Sequence, residues 1–312
     1  MHHKPLVSII ILSFNHQNFI EEAVLSAISQ QGNFISEIII GDDASNDDTQ
    51  IILKNLQTKY PKIIKLNFQT KNIGVWENLS STIKKSSGSY LALLDGDDFW
   101  LDPFKIDKQL ELILSDESIG LVHTNFKQLK EDKLISDNVL NPALVPQGFI
   151  YNKLMISNFI ANSTVLVKRH AILNAITTLN QYKDVLFIQD YPIWLHISMY
   201  NKIAFLAQST LMYRVLPISH SHFQSIDQKI QRITEVFQLK IFFSKNMEAI
   251  TKADFINIEA LYLRERQLLL WKNHKNINLN FTDLIKHYKT HRKLLPILKF
   301  PAMVMRLILK NY

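Results

Sequence analysis

This chain of 312 residues has no cysteine, which removes disulfides and thiolate metal sites together. The absence fits a reducing compartment. Glycine is scarce, with seven in all, and none falls in "SFNHQNFIEE" (13–22), the stretch after the first apolar run. A glycine-rich, basic loop for cradling a triphosphate is missing there, which argues against a nucleotidyltransferase. No apolar run approaches the roughly 18 residues of a membrane span. The N-terminus, "MHHKPLVSIIILSF", lacks the long apolar region and small-residue cleavage site of a secretory signal. A cytoplasmic protein is expected.

What is present is a globular composition, 47% hydrophobic and 20% charged. The net charge of +7 is unevenly spread. Residues 1–110 carry 10 basic and 13 acidic side chains, residues 111–214 carry 9 and 8, and residues 215–312 carry 16 and 7. The last third therefore suits either an anionic surface or a solvated helical face.

Two periods alternate over the first 125 residues. The continuous β-branched run at 6–14 predicts a strand buried on both faces, and 36–43, 62–68 and 90–98 read as three further strands. Between them, 18–31, 47–60 and 75–88 keep helical spacing. The alternation predicts βαβ units and a parallel sheet covered on both sides. Further on, 129–148 reads as a long irregular connection and 162–169 as a strand. Residues 190–200 read as a helix with Pro192 in its first turn, and 202–216 as a strand. From about 224 the chain reads as helical and basic, with Ile226, Ile230, Ile233 and Phe237, then Leu261, Leu268 and Leu269, in a stripe.

Ligands of such sheets bind beyond the carboxyl ends of the strands. The strands end at Ser13-Phe14-Asn15, at Asp42-Asp43 and at Asp95-Gly96-Asp97-Asp98. Carboxylates from separate strands are thus expected to converge on one edge. A cation would relieve their repulsion, and an all-oxygen site suits Mg²⁺ or Mn²⁺.

These residues carry a resemblance. "VSIIILSFN", "EIIIGDDASNDDT" and "NIGVWENLSSTIKKSSGSYLALLDGDDFWLDPFKIDKQ", then "NFIANSTVLVKR", "LFIQDYPIWLHIS" and "YRV", resemble the family 2 glycosyltransferases in order and spacing. The resemblance implies a GT-A type fold, with a Rossmann-like, mostly parallel α/β sheet, helices on both faces and here a basic helical C-terminal region. It implies a catalytic domain over 1–220, with 1–125 binding a nucleotide-sugar and 126–220 on the acceptor side, and a region 221–312 meeting a membrane or a subunit. The implied reaction moves a sugar, with inversion, from a nucleotide-diphospho-sugar (UDP by family habit) to a glycan or lipid-linked acceptor.

The resemblance also implies roles. Asp97 would hold the metal, Asp95 a ribose hydroxyl, and Asp98 would support them. Asp43 would accept from a uracil-type base packed on Phe14 and the backbone near Ser13 and Asn15; an acidic strand end capped by Ser45 or Asn46 is the alternative. Lys71 would reach a phosphate, and Arg214 of "YR" the diphosphate. Asp190 would be the general base, its pKa held low by the helix dipole; simple capping is the alternative. Trp100 and Trp194 would stack on sugars unless they belong to the core. Many relatives place a histidine two residues after the arginine, where this chain has Leu216; His220 and His222 would compensate. The segment 293–312, rich in Leu, Ile, Phe and Met with four cations, suits an anionic membrane surface, with a second subunit as the alternative. A non-catalytic homologue or nucleic-acid binder using the basic tail is the competing reading. No nucleic-acid motif supports it, and the intact acids argue against a dead site.

Overall fold

A computed structural model describes residues 7–131, 133–183, 190–216, 225–246, 258, 259, 261–263 and 265. His220, His222 and the segment 293–312 lie outside the described residues.

The first half alternates as its periodicity predicts. Strand β1 (Val7–Ser13) leads to α1 (Ile20–Ile28), β2 (Ile35–Asp42) to α2 (Thr49–Lys59), β3 (Ile64–Phe68) to α3 (Val75–Lys84), and β4 (Tyr90–Asp95) follows. The second half adds β5 (Phe99–Trp100), α4 (Lys105–Leu114), β6 (Ile119–Lys130), β7 (Lys133–Ser136), α5 (Tyr151–Ile156), β8 (Leu166–Lys168), α6 (Arg169–Leu179), α7 (Asp190–Tyr200), β9 (Lys202–Arg214) and α8 (Ile226–Asn246). The sheet runs β3-β2-β1-β4-β8-β6-β9-β5, with β7 paired to β6. Strands β3, β2, β1 and β4 are mutually parallel, β8 is antiparallel to both neighbours, and β6 and β9 are parallel.

Every residue of β1 is buried, and its alternation divides the protein into two cores. Ile9 and Ile11 join Ile38, Ile40 and Leu94 beneath α1, α2 and α4. Ile10 and Leu12 join Ile39, Leu91 and Leu93 beneath α3 and α5 to α8. Successive strand side chains point to opposite faces, so a strand covered on both sides needs apolar residues at every position. Each such side chain contributes about 1.5–3 kcal/mol on burial. Helix α7 is buried from Tyr191 to Ser198, as a helix without a polar face must be. Helix α8 brings Leu239 and Phe243 into the same core.

Three expectations need correction. The strand expected over 90–98 stops at Asp95, because Asp98 N–H turns back to the Asp95 carbonyl (3.1 Å) while Gly96 N–H takes the Leu12 carbonyl (2.8 Å). The "irregular" 129–148 begins inside β6 and doubles back as β7, reversing at Glu131, whose φ is 48°. The strand expected over 162–169 is extended only at Leu166–Lys168; Asn162–Thr164 form a 3₁₀ turn.

Candidate active site

The turn after β4 gathers the acids. Asp95 Oδ1 accepts Asn162 Nδ2 (2.8 Å), and its backbone N–H goes to Ser163 Oγ (3.0 Å). That hydroxyl lies 3.0 Å from Asp95 Oδ2 and 2.9 Å from Asp98 Oδ2. Asp98 Oδ1 accepts the backbone N–H of Arg214 (2.9 Å). One hydroxyl hydrogen cannot serve two carboxylates, so Ser163 donates to only one of the pair at a time.

The electrostatics agree. Burial first, then the Asp97 charge, pushes Asp95 up to about 6, against the Ser163 and Asn162 hydrogen bonds. Burial and the charges of Asp97 and Asp95 hold Asp98 well above the usual carboxylate range. Burial also raises Asp97, opposed by its own N–H and by Arg214. Its carboxylate differs from the other two in accepting no hydrogen bond from another described residue.

Gly96 makes this turn possible. A Cβ there would meet His16 Nδ1 at 2.7 Å and the Leu12 carbonyl oxygen at 2.9 Å. Gly96→Ala is expected to destabilise the protein by about 1–3 kcal/mol, seen as a lower midpoint in thermal unfolding, with donor-site function falling alongside.

Asp42 and Asp43 stand at the same edge of the sheet as Asp95, as expected, but they do not share its hydrogen bonds. Asp42 turns to Ser45 and to Gln50 Nε2 (2.6 Å). Asp43 spans the backbone N–H groups of Ile73 (2.8 Å) and Gly74 (2.9 Å), tying β2 to the loop before α3. Among the described residues no three His, Asp or Glu side chains are arranged to hold a metal ion. Short polar neighbours and backbone N–H groups meet Asp42 and Asp43 locally.

The end of β1 lies beside Asp43. Asp43 N–H donates to the Ser13 carbonyl (2.9 Å), and the Ser13 hydroxyl is buried without a partner among the described residues. Phe14 is exposed. Asn15 takes φ 57° and locks to the next loop through Asn46 N–H (2.8 Å) and Ser45 Oγ (2.8 Å); asparagine tolerates that left-handed conformation. Lys71 is exposed in the loop before α3.

Arg214, expected to reach the diphosphate, is engaged with protein groups. Its guanidinium lies between the rings of Phe19 (5.0 Å) and Phe99 (4.7 Å), pairs with Glu22 and donates to the Asp97 carbonyl (2.7 Å). It fastens the acidic turn to α1. Trp100 is 4% exposed and gives its indole N–H to the Ser163 carbonyl (2.8 Å). It is packed in the core, with no face left for a sugar.

A cavity of about 980 Å³ opens beside the turn. Asp95, Asn162, Ser163, Asp190 and Trp194 line it, with Arg232 and Lys240 of α8. Asp190 Oδ1 accepts the Tyr191 N–H (2.7 Å). Its pKa is raised, not lowered as the dipole argument predicts. Burial outweighs the Tyr191 N–H and the Arg232 charge. Asn162, Ser163, His16 and Arg232 were not singled out by sequence reasoning. Only the polar "ANST" ahead of the β8 run offered a signal.

The family model described as glycosyl transferase family 2 matches residues 8–173. An uncharacterized protein of Mycobacterium tuberculosis is 29% identical over 219 residues, 69% of this chain and 59% of that protein. The chain therefore spans less than two thirds of that relative. The Escherichia coli enzyme named UDP-Glc:alpha-D-GlcNAc-diphosphoundecaprenol beta-1,3-glucosyltransferase WfaP is 33% identical over 192 residues, 62% of this chain and 70% of the enzyme. Among solved structures, S. aureus TarS 1–349 with UDP-GlcNAc superposes with a TM-score of 0.59 at 14% identity, over 91% of this chain and 79% of that one. The mannosyltransferase PcManGT of Pyrobaculum calidifontis, with GDP-Man and Mn²⁺, gives 0.57 at 16%, over 98% and 86%. The fold is that of the GT-A glycosyltransferases.

Proposed function

Because the chain belongs to glycosyl transferase family 2 and is a glycosyltransferase, we propose that it moves a sugar from a UDP-sugar to a hydroxyl of a lipid-linked glycan acceptor, with inversion. The observation that carries this reading is the division of the carboxylates. Asp95 and Asp98 are held by Asn162, Ser163 and Arg214, while the Asp97 carboxylate takes no bond from another described residue. Asp190 shares a cavity with Asp95.

A divalent cation fits this donor set. Mg²⁺ in nucleotide sites is typically held by one or two carboxylates, with phosphate oxygens and water completing the shell, so Asp97 suffices without a protein cage. Mg²⁺ or Mn²⁺ bound there would neutralise charge developing on the departing diphosphate. Asp95 would orient the ribose, and Asp43, each of whose oxygens keeps a lone pair, would accept from the base. Across the cavity Asp190 would take the acceptor hydroxyl's proton as that oxygen bonds to the anomeric carbon. The bond to the diphosphate breaks on the opposite face. Two relatives support the chemistry by name: the E. coli enzyme uses UDP-Glc and a diphosphoundecaprenol-linked sugar, and PcManGT was solved with GDP-Man and Mn²⁺.

We propose 1–220 as the catalytic unit, with α8 completing its acceptor side, and a peripheral membrane contact through 293–312. No helix among the described residues is long and apolar enough to cross a membrane. Calorimetric titration with UDP, GDP and dTDP, with and without Mn²⁺, tests the donor assignment. UDP is expected to bind only with the metal; no binding by any of the three would overturn it.

A further inference from the structure

Behind the acidic turn lies a buried polar chain that the proposed chemistry does not use. Lys105, at the start of α4, is fully buried, and its Nζ donates to Gln109 Oε1 (2.6 Å) over the Trp100 ring (4.5 Å). No carboxylate among the described residues is within hydrogen-bonding reach of it. Burial lowers its pKa to about 7. An ammonium in such a place is costly unless it fixes something.

What it fixes is the Gln109 amide. With Oε1 committed to Lys105, Nε2 must face the other way, and it donates to the carbonyls of Thr164 (2.9 Å) and Val122 (3.0 Å). Trp100 holds the neighbouring Ser163 carbonyl. Two successive carbonyls of the 162–164 turn are therefore gripped from α4 and β5. The same turn presents Asn162 to Asp95 and Ser163 to both Asp95 and Asp98. The helix end is itself anchored, since Gln30 accepts Ile106 N–H (3.2 Å) and donates to the Asp102 carbonyl (2.8 Å).

We propose that Lys105 and Gln109 are positioning residues of the donor site, aiming Asn162 and Ser163 at the acidic turn through the backbone of residues 162–164. This rests on the donor-site reading above. It differs from a packing role because the two residues contact no donor group. Their effect reaches it through one turn.

The test compares Gln109→Met, which keeps the volume and loses the donors, with Ile113→Ala, a core truncation on the same helix. Gln109→Glu is the second variant, because its carboxylate keeps the Lys105 contact while losing both donated hydrogen bonds. Amide hydrogen exchange at Asp95 and Val165 is read on the ligand-free proteins, whose amides go to Ser163 Oγ and to the Asn162 carbonyl. Binding of UDP with Mn²⁺ is read separately by calorimetry. Both Gln109 variants are expected to exchange faster at these two amides and to bind about tenfold more weakly, the scale of one or two lost buried hydrogen bonds. Ile113→Ala, at equal or greater loss of thermal midpoint, should do neither. Exchange in the Gln109 variants that matches Ile113→Ala would overturn the proposal. Wild-type protein that binds no nucleotide would overturn the donor-site reading instead, leaving exchange to decide the role of the turn.

Discussion

Asp97→Ala is expected to lose metal-dependent nucleotide binding and sugar transfer together, by about a thousandfold or more, since a catalytic cation contributes several kcal/mol and each 1.36 kcal/mol is tenfold in rate. Calorimetry with Mn²⁺ and a turnover assay would check both. The neighbouring carboxylates give the contrast. In Asp98→Asn the amide oxygen still accepts Arg214 N–H, and the new NH₂ donates to Ser163 Oγ. The serine hydrogen is then free for Asp95, which removes the conflict of one hydroxyl between two buried acids. That variant should keep transfer within about tenfold, because it replaces each hydrogen bond rather than deleting one. Its thermal midpoint should rise in metal-free buffer, where the wild type must either bury both charges or keep one of the acids protonated. Equal loss of binding in the two variants would mean that the acids act as one cluster and that Asp97 has no separate role.

The difference between Asp97 and Asp98 shows what a sequence conveys. "DGDD" announces acids at a strand end, and the β1–β4 frame was legible because buried parallel strands must be apolar at every position. The partners were not. Asn162 and Ser163 stand 67 and 65 residues from the acids they meet, in a segment whose apolar continuation reads as strand. Strand β6 was missed for a related reason. His123, Thr124 and Asn125 are buried in its middle, and polar residues there break the pattern that marks a strand. Trp100 was read as sugar-stacking or core, and Arg214 as a diphosphate contact. Their chemistry is spent on protein carbonyls and aromatic rings. Spacing along the chain carries no record of which way a side chain turns. Asp190 was legible as a helix start, but its pKa direction was not, because desolvation depends on what covers it. The covering includes Arg232, on a helix that begins 36 residues later.

Asp190→Asn should leave nucleotide binding close to wild type while lowering kcat by about 10²–10⁴, the usual contribution of a positioned general base. The separation follows from the cavity. Asp190 lines the cavity and Asp97 does not, and Asp190 accepts the Tyr191 N–H at the start of its own helix. Asparagine preserves that bond, since its Oδ1 still accepts the Tyr191 N–H, so folding should not change. What it loses is the ability to take a proton. The pH profile supplies an independent check. Burial raises the Asp190 pKa, and a base works only when ionised. The rate should therefore climb with pH through a value above that of a free aspartate, then level off. In Asp190→Asn that acid limb should vanish along with most of the rate. Arg232 is the cation that holds the pKa down, so Arg232→Met should move the limb to higher pH and leave the plateau less affected. A wild-type rate in Asp190→Asn, or an acid limb unmoved by Arg232→Met, would place the base elsewhere in the cavity.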